Sequence, residues 1–402
     1  MPNLLVIPPL TMYKAPSGRF VITRKFLDGL AAYAHYFPGK VTSLLAIDPT
    51  PTDNLDHIEF NPEEHTFEIR PLPAAMEDLQ AILLRASSAR SIVLGSLCYA
   101  SDLETTRCCN AAGVPIVLIT EYALETRRQI IAVTTGNPLR RWKRHWSAGK
   151  EEKAFRQAAT LASGLQCNGT PTYDDYHILN PRTLLFFDTR IRHAMLPAPA
   201  RVGARIAHML AGSPLRLAFS GRLIAMKGAD HLPVVAGELR NRNIPFTLDI
   251  CGAGDLEGSI AGTLRDLKLT EHVRLRGNLD FATELVPLIT DQCDLFIQCH
   301  PQGDPSCTYL ETMACGVPIA GYDNAAFRGI ARTSKTGFPT PLGQPLELVE
   351  RIAELHADRQ KLATAAWAAL EFASEHTFEK TMQMRVQHML SCMAPAAAAA
   401  PV

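Results

Sequence analysis

GDPSCTYLETMACGVPIAGYDN, residues 303–324, joins an Asp-Pro-Ser turn, a helical segment and a Gly-Val-Pro break that leads into a new apolar strand. Pro305 suits the entry turn because its fixed φ fits the start of a helix and it needs no donor. A helix beginning near Thr308 places Thr308, Glu311 and Cys315 on one polar stripe. From there Glu311 is expected to reach a ribose hydroxyl pair, while the helix N-terminus meets phosphate oxygens. The plainer alternative is an exposed glutamate on an amphipathic helix.

A second stretch, FSGRLIAMKGADHL at 219–232, follows a predicted strand with a turn at Gly221 and two cations, Arg222 and Lys227. A loop that carries cations and leads into free helix amides suits a diphosphate. Two solvated cations on a surface loop are the alternative, which this fragment taken alone favours.

A third stretch, LDICGAGDLEG at 248–258, has its glycines spaced as GxGxxxG, which misses the GxGxxG fingerprint of dinucleotide sites. We interpret Gly252 and Gly254 as a turn at a strand end that lets a nucleotide approach the backbone. An NAD-dependent oxidoreductase is therefore disfavoured.

Short apolar runs alternate with helical segments along nearly the whole chain, which predicts an α/β protein with two doubly wound parallel sheets facing across a cleft. Pro, Ala and Gly accumulate around 195–214, so we place the boundary near residue 200. The predicted units are a first α/β domain at 1–198, a second at 199–373, a helix at 374–393 packing back on the first domain, and a disordered tail at 394–402.

Composition excludes several classes of protein. The 40 basic and 40 acidic side chains balance, which argues against a nucleic-acid partner. No apolar run reaches the roughly 20 residues of a membrane span, and the N-terminus lacks the features of a signal peptide, so we expect a cytoplasmic protein. The ten cysteines include no CxxC pair. Neither a metal site nor disulfides are predicted.

Together the three stretches resemble the retaining glycosyltransferases of the GT-B fold, family 4 (glycosyl transferases group 1). GRLIAMKG, LDICGAGDLEG and YLETMACGVPIAG match that family's elements in order, and the resemblance covers about 215–390. It implies that Arg222 and Lys227 bind the donor diphosphate and stabilise the leaving group, that Glu311 binds the ribose, and that no metal cofactor is needed. It also implies that 1–198 is the acceptor-side domain and 199–373 the nucleotide-sugar-binding domain. The donor-binding set is Gly221, Arg222, Lys227, Gly252, Gly254, Gly303, Asp304, Pro305, Ser306, Thr308 and Glu311.

Two departures from the family pattern concern the sugars. The first glutamate of the family's E-x7-E pair falls on Gly303, so Asp304 is expected to take over contact with the donor sugar. A family histidine after a first-domain strand is replaced by Glu121, with Tyr122 beside it. On the acceptor side, Gly18 and Arg19 in KAPSGRFVITRKF are expected to open a helix N-terminus towards the cleft. A plain surface loop is an equal alternative for Arg19.

Residues 137–156, NPLRRWKRHWSAGKEEKAFR, are rich in cations and place Trp142 and Trp146 four residues apart on one helical face. Such a segment suits the inner membrane face or a lipid-linked acceptor. The alternative, slightly favoured because the basic run is short, is a solvated helix whose tryptophans pack on the core.

The sequence therefore predicts transfer of a sugar from a nucleotide-diphosphate donor to a carbohydrate or lipid-linked acceptor hydroxyl, with retention of configuration as the resemblance implies. UDP is the default nucleotide by family frequency. The alternatives are a GT-B nucleotide-sugar epimerase or hydrolase, which would consume the donor alone, and a non-catalytic binding module, which would bind UDP without turnover.

Overall fold

The computed structural model describes residues 1–50, 57–87 and 90–393 and forms two α/β halves. The predicted tail at 394–402 lies outside the described residues. In the first half, the strands are β1 (Asn3–Val6), β2 (Thr11–Lys14), β3 (Phe20–Thr23), β4 (Lys40–Ile47), β5 (His57–Glu59), β6 (Glu68–Pro71), β7 (Ile92–Ser96), β8 (Ile116–Thr120), β9 (Gly164–Asn168) and β10 (Thr183–Phe186). The helices are α1 (Arg24–Tyr36), α2 (Met76–Ser87), α3 (Asp102–Ala111), α4 (Leu124–Thr134), α5 (Pro138–Leu161) and α6 (Thr170–Tyr176).

The first sheet has the strand order β10-β9-β8-β7-β1-β4-β2-β3-β5, with β6 also paired to β4. Its pairs are parallel except for β2–β3 and β3–β5, which are antiparallel. Strand β7 is buried at every residue, as expected for a strand covered by helices on both faces.

The expectation that Gly18 and Arg19 open a helix is wrong, because a strand precedes the helix. Phe20–Thr23 forms β3, and α1 begins at Arg24 with the Thr23 hydroxyl accepting from the Phe26 amide at 3.4 Å. The run Phe-Val-Ile-Thr favours a strand because its β-branched side chains pack well on a pleated surface.

The second half begins with α7 (Pro199–Leu210). Its strands are β11 (Leu215–Ser220), β12 (Phe246–Cys251), β13 (Val273–Gly277), β14 (Leu295–Gln298), β15 (Ile319–Tyr322) and β16 (Phe338–Thr340). The later helices are α8 (Leu232–Asn241), α9 (Glu257–Asp266), α10 (Val286–Gln292), α11 (Cys307–Ala314), α12 (Ala325–Ser334), α13 (Pro345–Ala357), α14 (Arg359–Ser374) and α15 (Phe378–Met393).

The second sheet is wholly parallel in the order β13-β12-β11-β14-β15-β16. This is the doubly wound order in which chain direction across the sheet reverses between the first and fourth strands, here β11 and β14. Ligands bind in such sheets outside the carboxyl ends of the strands at that reversal. The loops after β11 and β14, which carry the predicted diphosphate-binding residues, both lie there.

The chain passes between the halves twice, after β10 and after α14, and the two crossings lie side by side. The Phe378 amide donates to the Ile191 carbonyl at 2.7 Å, and the His193 amide donates to the Glu379 carboxylate at 2.9 Å. Helix α15 then packs on the first half, where Met382, Val386 and Met389 join its apolar core.

No helix among the described residues is long and apolar enough to cross a membrane.

Candidate active site

The loop after β11 is held against the end of β14 by glycine. Gly228 has φ +62°, and a Cβ built there would lie 2.0 Å from the Cys299 carbonyl oxygen. Because the backbones approach so closely, Lys227 is carried to the residues that follow β14. Its Nζ lies 2.8 Å from Asp304 Oδ2, and both side chains are largely buried.

The predicted turn at Gly252 and Gly254 packs on the same loop. Cβ atoms at these positions would lie 2.1 Å from the Gly221 carbonyl oxygen and 2.6 Å from the Leu223 carbonyl oxygen. The Leu223 amide also donates to the Ala253 carbonyl at 2.9 Å. Close packing of two backbone segments therefore accounts for both glycines without a nucleotide.

Arg222 faces the first half across the cleft. Its side chain is exposed, and among the described residues it holds no ion pair. Loss of water around Tyr122, followed by repulsion from Glu121 and Asp304, raises the pKa of the Tyr122 phenol to about 12, and the positive charge of Arg222 acts against this rise. Because the charges of Glu121, Arg222 and Asp304 all act on Tyr122, these four residues lie near one another at the cleft. Lys227 is connected to them through its ion pair with Asp304.

Gly303 is a contact between the halves. Its carbonyl accepts from Thr126 Oγ1 at 3.0 Å, and its amide donates to Gln129 Oε1 at 2.9 Å. A Cβ at this position would lie 3.1 Å from the Ala325 Cβ. A glutamate at 303 would crowd this contact, which gives a physical reason for glycine there and for the pairing of Asp304 with Lys227.

Helix α11 does not present the polar stripe expected from its sequence. It begins at Cys307, one residue before the expected start, and Glu311 and Cys315 are as buried as Leu310 on the other face. Pro305 and Ser306 precede the helix as expected, and Thr308 is half-buried in its first turn. Because Glu311 is buried, the alternative of an exposed glutamate on an amphipathic helix is also wrong.

Glu311 forms a bidentate ion pair with Arg190. Arg190 Nε lies 2.8 Å from Oε1, and its second donor lies 3.0 Å from Oε2. The guanidinium also lies 3.8 Å over the Phe281 ring. Each Glu311 oxygen accepts one hydrogen bond from Arg190, so lone pairs remain on both oxygens.

A further charged group lies beside this pair. Lys25 Nζ is 2.7 Å from Asp188 Oδ2 and 3.5 Å from Cys307 Sγ. Burial opposes ionisation of Asp188, but the Lys25 cation holds the pKa of that carboxyl below its usual value. Loss of water around the carboxyl, and then the charge of Asp188, raise the pKa of Glu121, so Glu121 lies near this group although the residue is exposed at the surface.

The prediction for Gly18 and Arg19 is wrong. Both lie in the tight turn between β2 and β3, where the Gly18 amide donates to the Ala15 carbonyl at 2.9 Å. Both are exposed, and α1 begins five residues after Arg19. Lys25 in the first turn of α1 reaches the cleft instead; a basic residue just inside a helix start was the available signal.

His300, which sequence reasoning did not select, is buried directly after β14. Asn324 donates to the Tyr309 hydroxyl at 3.1 Å, and that hydroxyl lies 3.3 Å from His300 Nδ1. The other ring nitrogen, Nε2, has no hydrogen-bond partner among the described residues. Asp304 Oδ1 and Gln302 Oε1 lack one in the same described ranges. The position of His300 after a strand end at the sheet reversal was the sequence signal that could have identified this residue.

The burial of His300 predicts that the folded protein loses stability at acidic pH. Burial, then the charge of Lys227, hold its pKa well below 6.5. The unfolded chain takes up this proton near pH 6.5 but the folded protein does not, so the free energy of unfolding falls below that pH. The loss is up to about 1.4 kcal/mol per pH unit. Urea unfolding measured at pH values from 7 to 5 should show that the free energy of unfolding falls less steeply with falling pH in His300→Asn than in the wild type. Exposed His208→Asn should keep the wild-type dependence on pH. An unchanged slope in His300→Asn contradicts this assignment.

A small cavity lies at the interface between the halves. A cavity of about 20 Å³, lined by Asp188, Pro305, Ser306 and Tyr309 among others, has room for about one water molecule. No cluster of three or more His, Cys, Asp or Glu side chains in residues 1–50, 57–87 and 90–393 could hold a metal ion. All ten cysteines are free.

Comparisons with known proteins agree with the fold described above. Residues 205–369 match the family described as glycosyl transferases group 1. A GDP-mannose-dependent alpha-(1-6)-phosphatidylinositol monomannoside mannosyltransferase of Mycolicibacterium smegmatis is 26% identical over 199 residues, which are 48% of this chain and 51% of that protein. The chain thus spans about half the length of the curated relatives it matches.

Solved structures match over nearly the whole chain. HepE of Anabaena in complex with UDP has a TM-score of 0.68 at 16% identity and covers 97% of this chain and 100% of its own. A glycosyltransferase of Rickettsia africae has a TM-score of 0.61 at 11% identity and covers 97% and 98%. The predicted fold is confirmed: the chain has the GT-B fold, and its residues 205–369 match the model of the glycosyl transferases group 1.

Proposed function

We propose that the protein is a retaining glycosyltransferase that moves a sugar from a nucleotide-diphosphate donor to an acceptor hydroxyl. The observation that carries this proposal is the convergence of Arg222 and Lys227, from the loop after β11, with Tyr122 and Asp304 at the sheet reversal. Two cations at the carboxyl ends of parallel strands suit a diphosphate.

In the proposed reaction the bond between the anomeric carbon and the β-phosphate oxygen breaks as the acceptor oxygen bonds to the same face of that carbon. This direct same-face attack needs no enzymic nucleophile, and the leaving diphosphate takes the acceptor proton in place of an enzymic base. Arg222 and Lys227 stabilise the charge that builds on the β-phosphate. We propose that this works without a metal ion, and unchanged turnover in excess EDTA would support that.

The remaining groups are assigned by their free hydrogen-bonding capacity. Glu311 offers its remaining lone pairs to the ribose hydroxyls while Arg190 holds it in place. His300 Nε2 donates to a hydroxyl of the donor sugar, and Asp304 Oδ1 accepts from one. Glu121 and Tyr122 contact the acceptor from the first half.

Two nucleotides are candidates. The structures of HepE hold UDP or UDP-glucose, which supports the UDP-sugar expected from the sequence. The mannosyltransferase relatives are named as GDP-mannose-dependent, which supports GDP-mannose as the second candidate. Those names also support a glycolipid acceptor, while polysaccharide and other cell-envelope glycans remain within the proposal.

A donor screen tests the proposal. The correct nucleotide sugar should raise the melting temperature with increasing concentration, because a ligand that binds the folded state stabilises it. We expect the shift with UDP-sugars, a smaller one with GDP-mannose, and none with ADP-glucose. Arg222→Ala should weaken the shift. No shift with any nucleotide sugar would contradict the proposed donor site.

Turnover then separates the reaction classes. Transfer to an added acceptor, with the product anomer matching the donor anomer by NMR, supports the proposal. Consumption of the donor without an acceptor would indicate the epimerase or hydrolase alternative. Binding without turnover of any donor would indicate a binding module.

A further inference from the structure

The corner between α4 and α5 exposes large apolar side chains. Leu139 is 74% exposed, Trp142 65%, Trp146 57% and Val133 43%. The alternative that these tryptophans pack on the core is therefore wrong. Tryptophan is costly to leave in water, and a cluster of four exposed apolar side chains marks an interaction surface.

The same corner carries an unbalanced positive charge. Residues 126–150 contain seven basic side chains and no Asp or Glu, in a chain whose charges balance overall. The seven are Arg127, Arg128, Arg140, Arg141, Lys143, Arg144 and Lys150. A local excess of this kind attracts an anionic partner.

Some of these cations build the corner, and others are available at its surface. Arg141 Nε donates to the Thr135 carbonyl at 2.9 Å, and Arg144 donates to Thr135 Oγ1 at 2.6 Å, so these two fix the turn between the helices. Lys150 Nζ lies 3.5 Å over the Trp146 ring. The exposed side chains of Arg128, Arg140 and Lys143 hold no ion pair within the described ranges.

Past residue 150 the surface changes character. Arg127 pairs with Glu152, and Arg156 lies 3.8 Å from the same carboxylate. The Tyr176 hydroxyl also donates to Glu152 at 3.1 Å. These contacts pair Arg127 and Arg156 with a buried carboxylate, whereas the exposed apolar side chains lie at the end of α4 and in the first half of α5.

We propose that this α4–α5 corner docks on the surface of an anionic lipid bilayer. The corner consists of Val133, Leu139, Trp142 and Trp146 with Arg128, Arg140, Lys143 and Lys150. Tryptophan rings favour the interface between headgroups and acyl chains, and lysine and arginine favour anionic headgroups. Nucleic acid explains the cations, but its phosphate backbone gives Leu139 and Val133 no partner.

The corner also lies near the cleft. The opposite end of α4 contacts it through Thr126 and Gln129, and an 11-residue helix is about 16 Å long. Docking would therefore hold the cleft within roughly that distance of the lipid surface. The inference does not rest on the proposed function, since binding needs neither donor nor acceptor.

Co-sedimentation with vesicles tests the docking. We expect the full chain to bind vesicles of phosphatidylcholine with 30% phosphatidylglycerol much more tightly than pure phosphatidylcholine, with a blue shift of tryptophan fluorescence. Trp142→Ala/Trp146→Ala should weaken binding at least tenfold and abolish the shift. Arg140→Glu/Lys143→Glu should weaken binding by more than tenfold, since each cation contributes roughly fivefold at an anionic surface.

Matched controls lie in the second half of the chain. Trp367→Ala removes the third tryptophan, which is 41% exposed, and Arg265→Glu/Arg274→Glu reverses two other exposed cations. Both control variants should bind vesicles like the wild type. Three results would overturn the proposal: no binding to anionic vesicles, equal loss in the controls, or tight binding to single-stranded oligonucleotides with vesicle binding indifferent to both tryptophans.

Discussion

Replacing Lys227 by alanine is expected to lower the turnover of sugar transfer by about 100- to 1000-fold. The lysine reaches the sheet reversal from the loop after β11 and is held 2.8 Å from Asp304. In the proposed reaction it stabilises the diphosphate as negative charge builds up, an interaction that grows in the transition state. The measurement is kcat at saturating donor.

The same substitution removes the partner of a largely buried carboxylate, so folding must be separated from chemistry. Leaving Asp304 without its cation destabilises the protein. The double variant Lys227→Ala/Asp304→Asn should recover stability without recovering turnover. Arg222→Ala, whose side chain is exposed, should lose turnover with almost unchanged stability. Near-normal turnover in both Lys227→Ala and Arg222→Ala would reject the assignment.

Replacing Gly228 by alanine is expected to lower the free energy of unfolding by about 2–5 kcal/mol. The left-handed backbone at φ +62° costs a side chain about 1–2 kcal/mol. The added Cβ would also lie 2.0 Å from the Cys299 carbonyl oxygen, and relieving such overpacking costs about 1–3 kcal/mol more. Urea denaturation measures the loss.

Gly262 provides the matched control. It lies within α9, and a Cβ there would meet nothing within 4 Å. Gly262→Ala should stabilise the protein by up to about 1 kcal/mol, because alanine favours the helix. If Gly228→Ala unfolds at the wild-type urea concentration, the close approach of this loop to β14 is not a feature of the protein.

The second sheet could be predicted from sequence because its strands are covered on both faces. Such strands appear as mainly apolar runs, and β11, β12, β14 and β15 each coincide with one. Strand β13 lies at the sheet edge and alternates apolar with basic residues instead. The three-residue β16 was missed because so short a run is indistinguishable from a loop.

The edge of the first sheet was harder to predict. Strands β2, β3 and β5 have three or four residues each and pair in part antiparallel. Strand β3 runs directly into α1, so its apolar residues extend the helical pattern and conceal the boundary. The local periodicity of apolar residues does not show where a strand ends and the following helix begins.

The candidate site was predicted as far as local spacing allows. Arg222, Lys227 and Asp304 were identified because they follow strand ends within recognisable stretches. Arg190 was not, because it meets Glu311 from 121 positions away along the chain. A pairing of that kind is set by how the halves assemble, which no local pattern encodes.

The paired crossings between the halves have a mechanical consequence. A single connection would let the two halves move freely relative to each other. Here two adjacent segments connect them, and the hydrogen bond from the Phe378 amide to the Ile191 carbonyl joins those segments, so they act as a hinge. We therefore expect the halves to move relative to each other mainly by rotation about the line through the two crossings, so that the cleft opens most on the side opposite that line.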